Sequence, residues 1–292
     1  QALCPYCDTR LTVHQRPRHL HCHHCDFQRG LPGACPSCLS PDVQALGLGT
    51  ERSEEHLQTL FPGRKILRID RDSTRKKNAM SELLAEVGQG GPCILVGTQM
   101  LAKGHHFPLV TLVAIIDADG GLFSSDFRGA ERMGQLITQV AGRAGRADKP
   151  GKVILQSHQS EHPLLHSLLF EGYAAFSEHL LRERQLADMP PYCFMALVKA
   201  ESADANMAME FLKLARLRAD SISPGNPDLH YLGPLPAVME RRQGRFRFIL
   251  QIKSGHRGKL KKLLGLLAAI LEKHPDARKV RWAIDVDPQD MS

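Results

Sequence analysis

ILVGTQMLAKGHHFP, Ile94 to Pro108, reads as an apolar strand feeding a glycine-hinged loop, and it decides the fold of the middle of the chain. A run of Ile, Leu and Val without polar alternation suits a strand covered on both faces. Lys65 to Asp70, Leu109 to Ala118 and Lys152 to Ser157 repeat the pattern. Ser53 to Phe61, Thr74 to Val87 and Arg128 to Ala144 carry helical spacing between them. Strand and helix therefore alternate from Val43 to Ser160, which predicts a parallel α/β domain with ligands at the loops on the carboxyl ends of its strands.

The last of those helices ends in QVAGRAGR, Gln139 to Arg146. Two forked guanidiniums, Arg143 and Arg146, follow glycines that permit close approach. Arginine holds phosphate oxygens bidentately, so the segment suits a clamp on a polyphosphate presented from outside. A basic helix end on a solvated face is the plainer alternative. A glycine-rich loop with Lys and a hydroxyl, which a motor needs to cradle phosphates, is missing from the sequence. The nearest candidate, Gly145 to Val153, has one residue too many between its glycines and Val153 where the hydroxyl belongs. With Gln1 in place of an initiator Met, this predicts the C-terminal part of a longer protein whose nucleotide-loading lobe lies before residue 1. The apolar run ending VAIIDAD also imitates a magnesium-binding element, which would make Asp117 and Asp119 metal ligands.

Residues 1–42 form a separate module. Cys4 with Cys7, Cys22 with Cys25, and Cys35 with Cys38 make three CxxC pairs. Each such turn aims two thiolates at one point, and two turns complete the tetrahedral shell of structural zinc. A disulfide framework is the alternative, and it requires an oxidising compartment. His14, His19, His21, His23 and His24 are further candidate ligands, but crowded beside Arg16, Arg18 and Arg29 they read as a basic surface. Cys93 and Cys193 read as buried apolar fillers.

A long helical run from Leu164 to Met189 meets Pro190 and Pro191, which marks a boundary between residues 43–189 and 190–292. Beyond it the order strand, helix, strand, strand, helix, strand predicts a ferredoxin-like α+β layer, βαββαβ, with both helices on one face. Its hairpin interleaves Arg241, Arg242, Arg245 and Arg247 with Phe246 and Phe248. Cations beside aromatic faces suit a nucleic-acid strand, and a charged edge strand that resists aggregation is the alternative.

Composition agrees with a nucleic-acid-facing protein of two or three domains, with 292 residues, 38 Lys and Arg against 31 Asp and Glu, and a net charge of +7. The sequence contains no apolar run near the roughly 18 residues of a membrane span. Cytoplasmic residence is the default expectation.

Ile94 to Pro108 and QVAGRAGR, in this order, resemble motifs V and VI of superfamily 2 helicases. The segment between them, IIDADGGLFSSDFRGAERMGQ from Ile115 to Gln135, resembles the PriA family of primosomal replication-restart helicases, and the likeness runs from the cysteines to the C-terminal VDP. The resemblance implies a second RecA-like lobe in which Arg143 and Arg146 face ATP and Mg2+ held mainly by the first lobe. At least one of them would be an arginine finger, and Gln139 would position the nucleotide or its attacking water. Gly97, Thr98, Gln99 and Gly104 would link the nucleotide cleft to the DNA track, with Thr98 or Lys103 on a backbone phosphate. Ordinary strand-end hydrogen bonding is the alternative for Thr98 and Gln99. Asp126 and Arg128, with Asp117 beside them, would couple the lobes instead of holding metal.

The family's nested cysteine order implies one complete zinc site, at Cys4, Cys7, Cys22 and Cys25. Cys35 and Cys38 would then be half of a second. Arg245 and Arg247 would contact branched DNA or the acidic tail of single-stranded-DNA-binding protein. The implied activity is an ATP-dependent 3′ to 5′ DNA helicase that recognises forked DNA, works on single strands and recruits other primosome proteins. The alternative, for this chain acting alone, is a zinc-ribbon binding module that does not hydrolyse ATP.

Overall fold

The computed structural model describes residues 2–15, 17–43, 49–70, 73–74, 78–98, 101, 107, 109–142 and 151–291. Gln99, Lys103, Gly104, Arg143 and Arg146 lie outside the described residues.

The N-terminal module is an antiparallel meander of β1 (Thr12–Gln15), β2 (Arg18–His21) and β3 (Gln28–Arg29), with a bridge from Leu3 to Arg10 before it. Its core is Cys4, Cys7, Leu11, Leu20 and Cys22, flanked by Val13, Phe27 and Leu31. So small a core cannot hold a fold by apolar burial alone, which is the situation in which a metal supplies the missing free energy.

The middle region runs α1 (Thr50–Leu60), β4 (Lys65–Ile69), α2 (Ala79–Gly88), β5 (Cys93–Gly97), β6 (Leu112–Ile115), α3 (Asp119–Leu122), α4 (Gly129–Ala141) and β7 (Lys152–Leu155). β4 pairs with β5 and β6 with β7, both in parallel, as the alternation of strand and helix requires. Two corrections follow. Among the described residues the strands form two parallel pairs and not one continuous sheet. Nor, among the described residues, are β6 and β7 covered on both faces: they alternate, with Ile115 and Leu155 packed inward and Leu112, Ala114 and Ile154 exposed. The inward residues pack where α4 brings Met133 and Ile137, and nothing among the described residues covers the opposite face.

The expected helix from Leu164 to Met189 is also interrupted. α5 (Pro163–His166) passes through a π turn, Ser167–Glu171, to Gly172, whose φ of 91° lies in the left-handed region, and α6 (Tyr173–Leu186) then restarts. The kink lets Leu164, Leu165 and Leu168 meet Phe176 and Leu180 over Met133 and Ile137.

The last region is β8 (Phe194–Ser202), α7 (Ala205–Ile222), β9 (Leu229–Arg242), β10 (Arg245–Ser254), α8 (Arg257–Glu272) and β11 (Arg281–Val286). The strands lie in the order β11-β8-β10-β9, antiparallel throughout. Asp204 caps α7 by accepting from the Asn206 amide. Ala208, Phe211, Leu212, Ala215 and Ala219 of α7 and Leu260, Leu263, Leu264, Leu267 and Leu271 of α8 share one core. They pack against Ala196, Val198 and Ala200 of β8 and Phe248, Leu250 and Ile252 of β10, so both helices cover the same face. Cys193, before β8, is buried and its thiol donates to Asp188 O at 3.2 Å, as its reading as a filler anticipates.

Candidate metal centre and the junctions around it

The two CxxC turns converge. One sulfur from each of Cys4, Cys7, Cys22 and Cys25 lies within 4.8 Å of the other three, and Cys4 Sγ is 3.6 Å from Cys25 Sγ. A tetrahedral ion with sulfur at about 2.3 Å needs sulfur-to-sulfur edges of about 3.8 Å, so the four fit zinc. Burial pushes the Cys4, Cys7 and Cys25 thiols up. Burial also opposes ionisation of Cys22, but the backbone amides of His24 and Cys25 outweigh it and hold that thiol below its ordinary value. Cys35 and Cys38 stand apart: Cys38 is exposed, and backbone amides of Cys38 and Ser37 lower the Cys35 thiol.

The centre is also touched from far along the chain. β9 and β10 are joined by Gln243 and Gly244, with φ of 51° and 76°, as a two-residue hairpin loop of type I′ requires. That tight loop turns its amides outward onto the ribbon. Gln243 N–H donates to Cys7 Sγ at 3.3 Å, Gly244 N–H to Tyr6 O at 2.9 Å, and Asp8 N–H to Arg241 O at 2.9 Å. Gln243 Nε2 donates to His24 O at 3.3 Å, so the loop reaches both knuckles. An N–H on a ligand sulfur is an outer-shell contact, of the kind that orients ligands and tunes a metal. Nothing local in sequence signals it, because the partners are more than 200 residues apart.

A second junction gathers around α4. Asp126 accepts from the Arg128 amide at 2.9 Å, pairs with Arg132 and accepts from the Met291 amide at 3.4 Å. Arg128 grips Glu131 with Nε at 3.3 Å and Nη2 at 2.9 Å, and its Nη1 donates to Gln289 Oε1. Arg184 of α6 adds a contact to Glu131 at 2.7 Å. The hydrogen bonds from Arg128 hold the Glu131 carboxyl at about 2, against its burial and with help from Arg184. The structure thus brings Asp126 and Arg128 together with the C-terminal tail. Glu131, Arg184 and Gln289, which complete the network, went unread in the sequence, although an Arg–x–x–Glu spacing on a helix was a usable signal.

Asp119 proves to be a structural carboxylate. It accepts from Ser157 Oγ and from the His158 amide at 2.8 Å, tying the start of α3 to the loop after β7, and these bonds lower its carboxyl below the ordinary range. Both of its oxygens are used this way, while Asp117 is exposed at a φ of 56°. Gly97 ends β5 where a Cβ would sit 2.4 Å from Ile69 O, so only glycine lets the strand ends approach there. Thr98 follows it, and Gln139 lies in the last turn of α4.

The expected aromatic platform on the hairpin is not available. Period-two alternation turns Phe248 into the helix-covered core, Phe246 packs against that core, and Arg241 stacks on Phe246 at 5.1 Å. Arg245 and Arg247 fall on the opposite face. Arg247 donates to Met239 O at 3.4 Å, faces Glu201 at 3.9 Å, and borders a hollow of about 220 Å³ shared with Lys199, Arg281 and Trp282.

Comparisons with known proteins agree along the chain. Residues 4–29 match the PriA DNA helicase Cys-rich region domain, residues 42–148 the Helicase conserved C-terminal domain, and residues 185–289 the Primosomal protein N C-terminal domain. The chain is 46% identical over 292 residues to the replication restart protein PriA of Haemophilus influenzae, covering 100% of this chain and 39% of that protein. For PriA of Bacillus subtilis the figures are 37% over 287 residues, with 98% and 35% covered, and for Chlamydia pneumoniae 36% over 294, with 98% and 38% covered. The chain therefore spans about two fifths of the length of these relatives. By these matches, laid over a four-thiolate ribbon, a helicase lobe and a C-terminal sheet, the chain belongs to the PriA family of replication restart proteins.

Proposed function

We propose that this chain supplies the second motor lobe, the zinc ribbon and the C-terminal domain of an ATP-dependent 3′ to 5′ DNA helicase acting on forked DNA in the cytoplasm to start primosome assembly. The supporting observation is the order of the three family matches in one chain, with the helicase match ending just past Arg143 and Arg146. In this reading Arg143 and Arg146 complete an ATP and Mg2+ pocket begun by a lobe outside this chain, with Gln139 beside them. Gly97, Thr98, Gln99, Lys103 and Gly104 carry the link to DNA. Asp117, Asp126 and Arg128 couple the lobes, and the Arg128 contact with Gln289 extends that coupling to the C-terminal tail.

The ribbon is proposed to span residues 1–42, the lobe 43–189 and the C-terminal domain 190–292. The last is read as ferredoxin-like, supported by the strand order β11-β8-β10-β9 with two helices on one face. Zinc, when bound by Cys4, Cys7, Cys22 and Cys25, supplies the ribbon's structural cross-link; Cys35 and Cys38 are proposed as half of a second site. The hollow beside Arg247, where Lys199 and Arg281 outnumber Glu201, suits an acidic peptide such as the tail of single-stranded-DNA-binding protein, with Arg245 on the tail or on DNA.

ATP hydrolysis with and without forked DNA tests this on the chain alone and on one extended by a first lobe. The chain alone should be inactive. The extended protein should lose DNA-stimulated hydrolysis by about 10³-fold when Arg143 or Arg146 becomes Ala. Full hydrolysis in both variants would end the arginine-finger assignment.

A further inference from the structure

We propose that His14, His21 and His23 form a second metal site, for a zinc-like transition-metal dication, at the seam between the ribbon and helix α1. The hairpin register sets it up. β1 and β2 place Thr12 opposite His21 and His14 opposite His19, so His14, His19 and His21 rise from one face, and His23 joins them from the second knuckle. The rings of His14 and His23 are 5.2 Å apart, those of His21 and His23 4.7 Å, and those of His14 and His21 5.4 Å.

One nitrogen from each of the three lies within 4.8 Å of the others, and His14 Nε2 is 3.3 Å from His23 Nε2. Imidazoles bound at about 2.0 to 2.1 Å in a tetrahedral shell have nitrogen-to-nitrogen edges of about 3.3 Å. The closest pair already has that spacing, and small side-chain rotations bring in the third. Three ligands leave a fourth position open.

Carboxylates stand behind two of the rings. The second nitrogen of His14, Nδ1, faces Glu51 of α1 at 3.8 Å, and His21 Nε2 is 3.3 Å from Asp26. An acidic group on a ring nitrogen is how ligating imidazoles are commonly oriented. His23, His24, Arg18 and Arg29 are exposed, as the basic face read in sequence requires, whereas His14 and His21 turn inward. His21 is only 4% exposed, so its ring is held in place by its surroundings. Because Glu51 belongs to the helicase lobe, an ion here would fasten the ribbon to that lobe, independently of the four-thiolate site.

Cobalt(II) titration of the 292-residue chain separates the sites, since thiolate ligation brings intense charge transfer and imidazole ligation only weak visible bands. We expect a further equivalent without charge transfer after the thiolate site fills. The His14→Asn, His23→Asn double variant should bind that equivalent at least tenfold more weakly and keep the thiolate band. Loss of the thiolate band would pass the decision to His14→Asn alone, where unchanged affinity overturns the site and tenfold weakening supports it. The proposal is also overturned by a chain that takes up no imidazole-type equivalent, or by one whose extra equivalent survives both replacements.

Discussion

Glu131 receives Arg128 and Arg184 together, and its carboxyl is held near 2 against an ordinary 4.5. A depressed carboxylate stabilises the fold above its unfolded value and loses that contribution as pH falls from 4.5 towards 2. Glu131→Gln should therefore cost about 1–2 kcal/mol at pH 7, discounted for partial exposure, and almost nothing near pH 2. Urea unfolding of both proteins across that range checks the convergence. Gly134, one turn further along α4, would put a Cβ 2.3 Å from the Phe176 ring, which is fully buried and has nowhere to go. Gly134→Ala should destabilise the lobe by about 1–3 kcal/mol despite the better helix propensity of alanine, and thermal melts measure it. Asp126 and Arg128 were singled out by the family resemblance; Gln289 and Met291, which they reach, were not, because these come from the far end of the chain, and Arg184 joins only through Glu131.

The β9–β10 hairpin shows what an element can do that its residues do not announce. Its interleaved letters read as arginines beside phenylalanines, yet neighbours in a strand lie on opposite faces, and of these arginines only Arg241, across the hairpin, meets a ring. Phe248 thus went to the core, and the half-buried Phe246 is taken up by Arg241. Its loop, by contrast, caps a metal centre through backbone amides, which carry no residue signature. Chelating the zinc should leave the amides of Gly244 and Asp8 without their partners. Hydrogen exchange at those two should then accelerate by at least tenfold, while Leu250 and Val198 amides stay protected. Unchanged protection at Gly244 would mean that the hairpin, and not the metal, organises the ribbon.

At the scale of the molecule, the described residues form three apolar cores, in the ribbon, the helicase lobe and the C-terminal region. Leu267, fully buried between α8 and the sheet, should cost about 2–5 kcal/mol as Leu267→Ala. Calorimetry should show that loss in one transition only, leaving that of the helicase lobe in place. Among the described residues no helix is long and apolar enough to cross a membrane. Local pattern carried most of this architecture: the apolar runs of β4 to β7, the leucine spacing of α8 and the paired CxxC turns each specify an element or a ligand set through neighbours a few residues apart. Tertiary structure alone chose the rest. It set β6 and β7 in alternating exposure, bent a single helical run at Gly172, laid the hairpin loop on Cys7 and gathered three histidines at one corner of the ribbon, with His14 facing Glu51. Each of these depends on contacts between residues distant in the chain, where periodicity and spacing carry no information and packing and hydrogen-bond satisfaction decide.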